Sequence, residues 1–279
     1  MMSARNLLKK IYNTVLGRRK KLYFIKDWVS LLGALKENGV EYKLFDKLPE
    51  AINYNKNYHF IKHDIHHLLE PALQIAKAEH SIGVQATFFM MHEHPLNQKI
   101  FNKPETWKGL QTIQDLGHEI ALHIDGFILI EKYGCIQKGL EKEWQLFKDN
   151  GINIRGGNCH GNTTYYNKLK FEPMSFYKEI YRPHKCQDSF WNQFNSKYSL
   201  ADLGFKFWAD SSCWVEGNLY IPKIYISDNM LDIRAGISDS PGWEVIGPSM
   251  QITKELINEL VKRYTNTHAL YLIHPQFFI

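Results

Sequence analysis

The chain has 279 residues, 44% of them hydrophobic and 14% aromatic, which is enough for one large core and excludes a disordered polymer. No stretch approaches the ~20 consecutive apolar residues of a membrane-spanning helix. The formal net charge is +5, yet Arg5, Lys9, Lys10, Arg18, Arg19, Lys20 and Lys21 place seven positive charges in the first 21 residues. Taking those seven from the total leaves about −2 for the remainder, so the charge offers no case for nucleic-acid binding.

Within residues 1–22, Leu7, Leu8, Ile11, Tyr12, Val15 and Leu16 fall at helical spacing. A basic amphipathic helix of this kind suits peripheral contact with an anionic membrane surface, or frays into solvent. It lacks the ~7–15-residue apolar run of a secretory signal. Residues 23–279 contain no repeat, low-complexity tract or Gly/Ser/Pro linker and read as a single domain. Cys135, Cys159, Cys186 and Cys213 form no C-x-x-C pair and no disulfide framework, which predicts reduced thiols and a cytoplasmic protein.

A helix is predicted over 26–38, with Trp28, Leu31, Leu32 and Leu35 on one face and Gly39 as its stop. A short strand follows over 40–45. The next, over 58–63, runs into His63-Asp64-Ile65-His66, and a helix over 67–80 starts at once, with Pro71 in its first turn. Strand 84–90, helix 107–116, strand 118–123, one long helix over 131–150 and strand 152–159 come next. From 171 to 248 only 205–208 and 224–227 read as strands. A helix over 252–264 precedes the last strand, 269–273, which ends at His274. Strands alternating with helices of ~10–15 residues require parallel strands and crossover helices, an α/β fold.

Asp64, His66, His123, His160 and His274 each fall at or just past the C-terminal end of a predicted strand. In a parallel α/β barrel those ends converge on one face, so residues distant in sequence meet there. Taken singly, a strand-end histidine is an ordinary hydrogen-bonding loop residue, whereas four at equivalent positions point to a site. His66, His123 and His160 supply three imidazoles for a catalytic zinc, leaving Asp64 as the base that activates water and His274 as the proton donor to the leaving group. His92 and His94 follow the 84–90 strand and are either further lining of the same mouth or, the plainer reading, ordinary polar residues with no part in it.

The motifs in order resemble the polysaccharide deacetylase, or NodB-homology, superfamily, and within it the divergent deacetylase-like proteins associated with surface-polysaccharide biosynthesis. Lys62-His63-Asp64-Ile65-His66 is similar to its RHDVD-like first motif, and Gly83-Val84-Gln85-Ala86-Thr87-Phe88-Phe89 to its G-x-x-A-T-F-F strand. Gly117 to His123 is similar to GHEIGxH, His160-Gly161 to a strand ending in HG, and Leu270 to Pro275 to the closing strand and histidine. The resemblance spans residues 58 to 275. It implies a distorted (β/α) barrel with a short N-terminal helical extension, and metal-dependent hydrolysis of an acetyl group from an N-acetylated sugar or glycan, with zinc the expected divalent ion. It assigns Asp64 as base and His66 to the metal. A second register makes His63 the base and Asp64 a ligand. The family's second-motif histidine, four residues after His123, is Phe127, which cannot ligate, so the third ligand falls to His160, with Asp125 behind it.

Trp208, Trp214 and Trp243 are candidates for stacking on sugar rings or for core packing, and Asp228 and Arg234 for substrate contact. Two other readings stand beside hydrolysis: a non-catalytic carbohydrate-binding barrel, motivated by Phe127, and a peripheral membrane assembly factor acting through residues 1–21.

Overall fold

A computed structural model describes residues 24–48, 58–66, 68–93, 97, 100–161, 168–171, 173–180, 188–210, 213–220, 224–227, 243–245, 254–266 and 268–278. The basic segment 1–22, His94, Cys186, Asp228, Arg234 and the Trp243 side chain lie outside the described residues. From Ile25 to Cys159, helices are interleaved with strands, and a run of short strands follows. Helix α1 (Ile25–Glu37) precedes the two-residue strand β1 (Glu41–Tyr42) and a 3-10 turn, Phe45–Lys47. Strand β2 (Tyr58–Ile65) leads to α2 (Leu69–Ser81), and β3 (Thr87–Met90) to α3 (Pro104–Asp115). After β4 (Glu119–Ile124) come α4 (Gly126–Tyr133) and α5 (Ile136–Asp149), then β5 (Ile154–Cys159) and the one-turn α6 (Ser189–Asn192). Strands β6 (Phe207–Ala209), β7 (Cys213–Val215), β8 (Asn218–Tyr220), β9 (Ile224–Ser227) and β10 (Trp243–Val245) precede α7 (Lys254–Tyr264) and β11 (Ala269–Ile273).

The strands form one sheet in the order β10-β9-β11-β2-β3-β4-β5-β6-β7-β8, with β1 beside β2. The last strand of the chain therefore lies against β2, with Ile273 level with His63. The sheet curls. A flat sheet would hold β2 and β8, six strand spacings apart, roughly 29 Å from one another, yet the Phe60 and Tyr220 rings meet at 5.8 Å. Period-2 alternation sorts the strand residues into two cores. Phe60, Phe89, Ala121, Leu270 and Leu272 fill the inside of the curl, while Ile61, Ile65, Phe88, Met90, Leu122 and Ile273 pack outward against the helices.

Several predicted elements differ. The long helix over 131–150 is two helices, because Gly134 takes a left-handed conformation (φ 81°) that ends α4 and Cys135 is extended before α5. The strand over 40–45 shortens to β1 and a 3-10 turn. The sheet is not purely parallel, since β6, β7 and β8 pair antiparallel. Strands β7, β8 and β10 were not predicted; three residues are too few to show a period. Among the described residues no helix is long and apolar enough to cross a membrane.

At the opposite end of β4 from the histidines, the buried Glu119 Oε2 accepts a hydrogen bond from Thr87 Oγ1 at 2.7 Å. Burial first, and the Asp46 carboxylate second, push its carboxyl up to about 8. The folded protein thus favours the protonated acid, so the stabilisation is complete below the ordinary carboxyl range and is lost as pH rises through about 8. Glu119→Gln keeps an acceptor for Thr87 and cannot ionise. Melting curves from about pH 6 to about pH 9 are expected to fall for the native chain and to fall less for the variant. Parallel curves for the two proteins would refute this assignment.

Candidate active site

Inward alternation on three strands assembles the centre. Asp64 on β2 and His123 on β4 point inside the curl, and His274 follows β11 with the parity of Leu270 and Leu272. His66 leaves the end of β2, and His160 the end of β5. The five residues singled out from the sequence meet here. His66 and His123 bring their Nε2 atoms to 3.1 Å, with the rings stacked at 5.1 Å. The His160 ring lies edge-on to both, at 5.4 Å from His66 and 5.1 Å from His123, and the His274 ring is 5.2 Å from His66.

One nitrogen from each of His66, His123 and His160 lies within 4.8 Å of the others, a group able to hold a metal ion. Zinc bonds of ~2.1 Å at tetrahedral angles set nitrogens about 3.4 Å apart, a spacing near that of the 3.1 Å pair, and a His160 nitrogen lies within 4.8 Å of both. The donor chemistry fits as well. Burial, and then the neighbouring His160, His66 and Lys62, outweigh the attraction of Asp64 and hold His123 well below the usual imidazole range, leaving a neutral ring with a lone pair.

Asp64 is 5% exposed, with Oδ2 at 3.9 Å from both His123 Nε2 and Lys62 Nζ. Burial alone would raise its pKa. Lys62, His123, His274 and His66 prevail over that and hold it below the usual carboxylate range, so Asp64 is ionised. Lys62, buried two residues earlier on the same face, also donates to the Ala209 carbonyl at 2.9 Å. Asn158 donates through Nδ2 to Asp64 Oδ1 at 3.0 Å and meets His123 Nδ1 through Oδ1 at 2.7 Å. Nearby, the buried Asp210 accepts from the Cys159 backbone N–H at 3.0 Å and from the Trp208 indole.

Lys62, Asn158 and Asp210 escaped the sequence reading. A lysine two residues before Asp64 is a same-face signal that was open to use. Asn158 was hidden by a β-bulge: Ile120 to Leu122 on β4 faces Ile154 to Gly157 on β5, two steps against three. The extra residue reverses the alternation, which brings Asn158 beside His123 and into the curl. Gly156 permits this close passage, because a Cβ there would lie 2.2 Å from the Phe207 ring.

Asp125 supports His160. Its Oδ2 is 3.3 Å from His160 Nδ1, its Oδ1 caps α4 by accepting from the Phe127 and Ile128 backbone N–H groups, and its own N–H donates to Glu93 Oε1 at 2.8 Å. His63 faces the other way. Its Nε2 meets Glu79 Oε1 on α2 at 2.9 Å, so the register that makes His63 the base is one the strand's alternation does not bring to the site. His92 is likewise turned away, 2.7 Å from Glu143 and packed among Phe101, Trp107 and Phe147. Trp208 and Trp214 are core residues, 0% and 4% exposed. Phe127 is fully buried against Phe171, Phe176 and Trp191.

No model of a known protein family matches the chain, and no curated protein does. Among solved structures it is similar to a family 4 carbohydrate esterase from Bacillus anthracis, with 15% identity, 84% of this chain and 82% of that chain covered, and a TM-score of 0.37. It is also similar to a point mutant of the peptidoglycan deacetylase PdaC from Bacillus subtilis, with 12% identity, 81% and 92% covered, and a TM-score of 0.33. Likeness at that level assigns no residue a role, and the roles rest on geometry.

The aromatic cage around Phe127 yields a test. Phe127→His restores the residue type of the second motif but places it among rings, so zinc stoichiometry should be the same as for the native chain while the melting temperature falls. Phe127→Ala should destabilise by about 3–5 kcal/mol. Calorimetric zinc titration with thermal melts decides; a second bound zinc, or tighter binding, in Phe127→His would overturn the packing role.

Proposed function

We propose that the chain is a metal-dependent carbohydrate N-deacetylase. It would release acetate from an N-acetylated sugar or glycan, with residues 23–279 forming one deacetylase-type (β/α) barrel domain. The observation that carries this reading is the convergence of His66, His123 and His160 beside an ionised carboxylate, Asp64. The acetylated-sugar substrate is inferred from the ordered sequence motifs. A divalent ion bound by the three histidines, zinc by preference for imidazole, would supply Lewis-acid polarisation of the acyl carbonyl and acidification of water.

Asp64 is the base. It carries the charge needed to accept a proton as water attacks, and its hydrogen bond to Asn158 fixes its orientation. His274 stands at the same end of the curl, against His66, and gives a proton to the departing amine nitrogen. Water's hydroxyl goes to the acetyl carbon, the C–N bond breaks, and acetate and an amine leave. The remaining parts of the reading are a place among proteins of surface-polysaccharide biosynthesis, a reducing cytoplasmic setting that fits the free thiols of Cys135, Cys159 and Cys213, and peripheral membrane contact through residues 1–21.

The test pairs metal analysis of the purified protein with acetate release from N-acetylated sugars under zinc, cobalt or nickel. Expected are one bound ion per chain and release that falls by about 10²–10⁴-fold in Asp64→Asn with the metal retained. No bound ion and no release under any of the three metals would sink the hydrolase reading. A bound ion with glycan binding and no release would favour the non-catalytic barrel.

A further inference from the structure

We propose that Asn158 is the positioning residue of this centre, setting the tautomer of His123 and the orientation of Asp64 through one amide. The inference rests on the deacetylase reading for its role in turnover, though its structural part stands apart from it. Asn158 is fully buried on β5, level with His123, and held on the inward face by the bulge. Its two polar atoms serve two different residues: Nδ2 lies 3.0 Å from Asp64 Oδ1, and Oδ1 lies 2.7 Å from His123 Nδ1.

The chemistry of an amide leaves one arrangement. A carboxylate only accepts hydrogen bonds, so the NH2 must turn to Asp64. The carbonyl then faces His123 and also only accepts, so His123 must carry its proton on Nδ1. In a neutral ring that puts the lone pair on Nε2, the atom that faces His66 at 3.1 Å. Partners beyond the ligands of a metal commonly set ring orientation and tautomer in this way. Here the same side chain also holds Asp64, so His123 and Asp64 are coupled through one amide.

Three variants separate the two contacts. Asn158→Leu removes both, Asn158→Asp keeps an acceptor for His123 and sets a carboxylate against Asp64, and Asn158→Gln is the conservative control. The first readout uses metal-free protein: long-range 1H–15N spectra of histidine-labelled chain report which His123 nitrogen bears the proton. The native chain and Asn158→Asp should show the Nδ1–H form, and Asn158→Leu a mixture of tautomers. The second readout is zinc titration, where Asn158→Leu should bind about 10–100-fold more weakly and Asn158→Asp should stay close to the native affinity. The third is acetate release, which should fall in both, with Asn158→Gln retaining more than either.

An Nδ1–H signal unchanged in Asn158→Leu would overturn the proposal, and so would zinc affinity equal to native in that variant. If the tautomer follows Asn158 but the native chain releases no acetate, the positioning role stands and the deacetylase reading falls. Melting curves identify any variant that fails to fold, and Asn158→Asp then carries the test through its separation of zinc affinity from turnover.

Discussion

Asp64 must remain charged while only 5% exposed, and much of the interior of the curl answers that demand. Burial by itself favours the neutral acid. Lys62 shares its face because the two lie two residues apart on one strand, and the lysine reaches across the curl to the Ala209 carbonyl on β6. The hydrogen bond from Asn158 satisfies a second oxygen. His123 and His274 arrive from β4 and β11, on either side of the strand that bears Asp64. A buried charge array of this sort contributes little net stability when compared with packed hydrocarbon, although removing one partner costs about 3–5 kcal/mol. Its presence is therefore better explained by chemistry than by folding.

The other face of β2 is tied down with equal care. His63 and Trp28 both meet Glu79 Oε1, at 2.9 Å and 2.8 Å, joining β2, α1 and α2 through one buried carboxylate. The His63 ring also lies 4.5 Å from Phe88 on β3. The strand that delivers Asp64 and His66 is thus anchored from inside by Lys62 and from outside by His63. Two polar neighbours in sequence serve opposite layers, which is why Lys62-His63-Asp64 looks so costly when read as a string and so economical when folded.

What could be read from the sequence followed from periodicity and strand order. Helix α1 declared itself through Trp28, Leu31, Leu32 and Leu35, and β11 through an unbroken apolar run ending at His274. Placing His66, His123, His160 and His274 at strand ends sufficed to group them, since parallel strands bring those ends together. Two of the parts that stayed hidden share a cause: local interruptions of period. A left-handed Gly134 divides what spacing alone shows as one helix, and the bulge on β5 inverts the parity that would otherwise send Asn158 outward. The hairpin strands β7 and β8 were too short to display any period.

Phe127 looks at first like a loss, because a side chain that cannot bind metal stands where the resemblance expects a histidine. Its surroundings suggest a transfer of duty. Phe171, Phe176 and Trp191 grip its ring and so fix the first turn of α4. That turn is capped by Asp125, whose Oδ1 takes two backbone N–H groups while Oδ2 stays on His160 and Glu93 holds the Asp125 N–H. With α4 pinned by packing, Oδ2 of its capping carboxylate is presented at a set place, 3.3 Å from Nδ1 of His160. His160 is thereby held within the group it forms with His66 and His123. A helix with an apolar ring at this position thus serves by orienting an imidazole at the end of β5, through a cap that the aromatic cage holds in place.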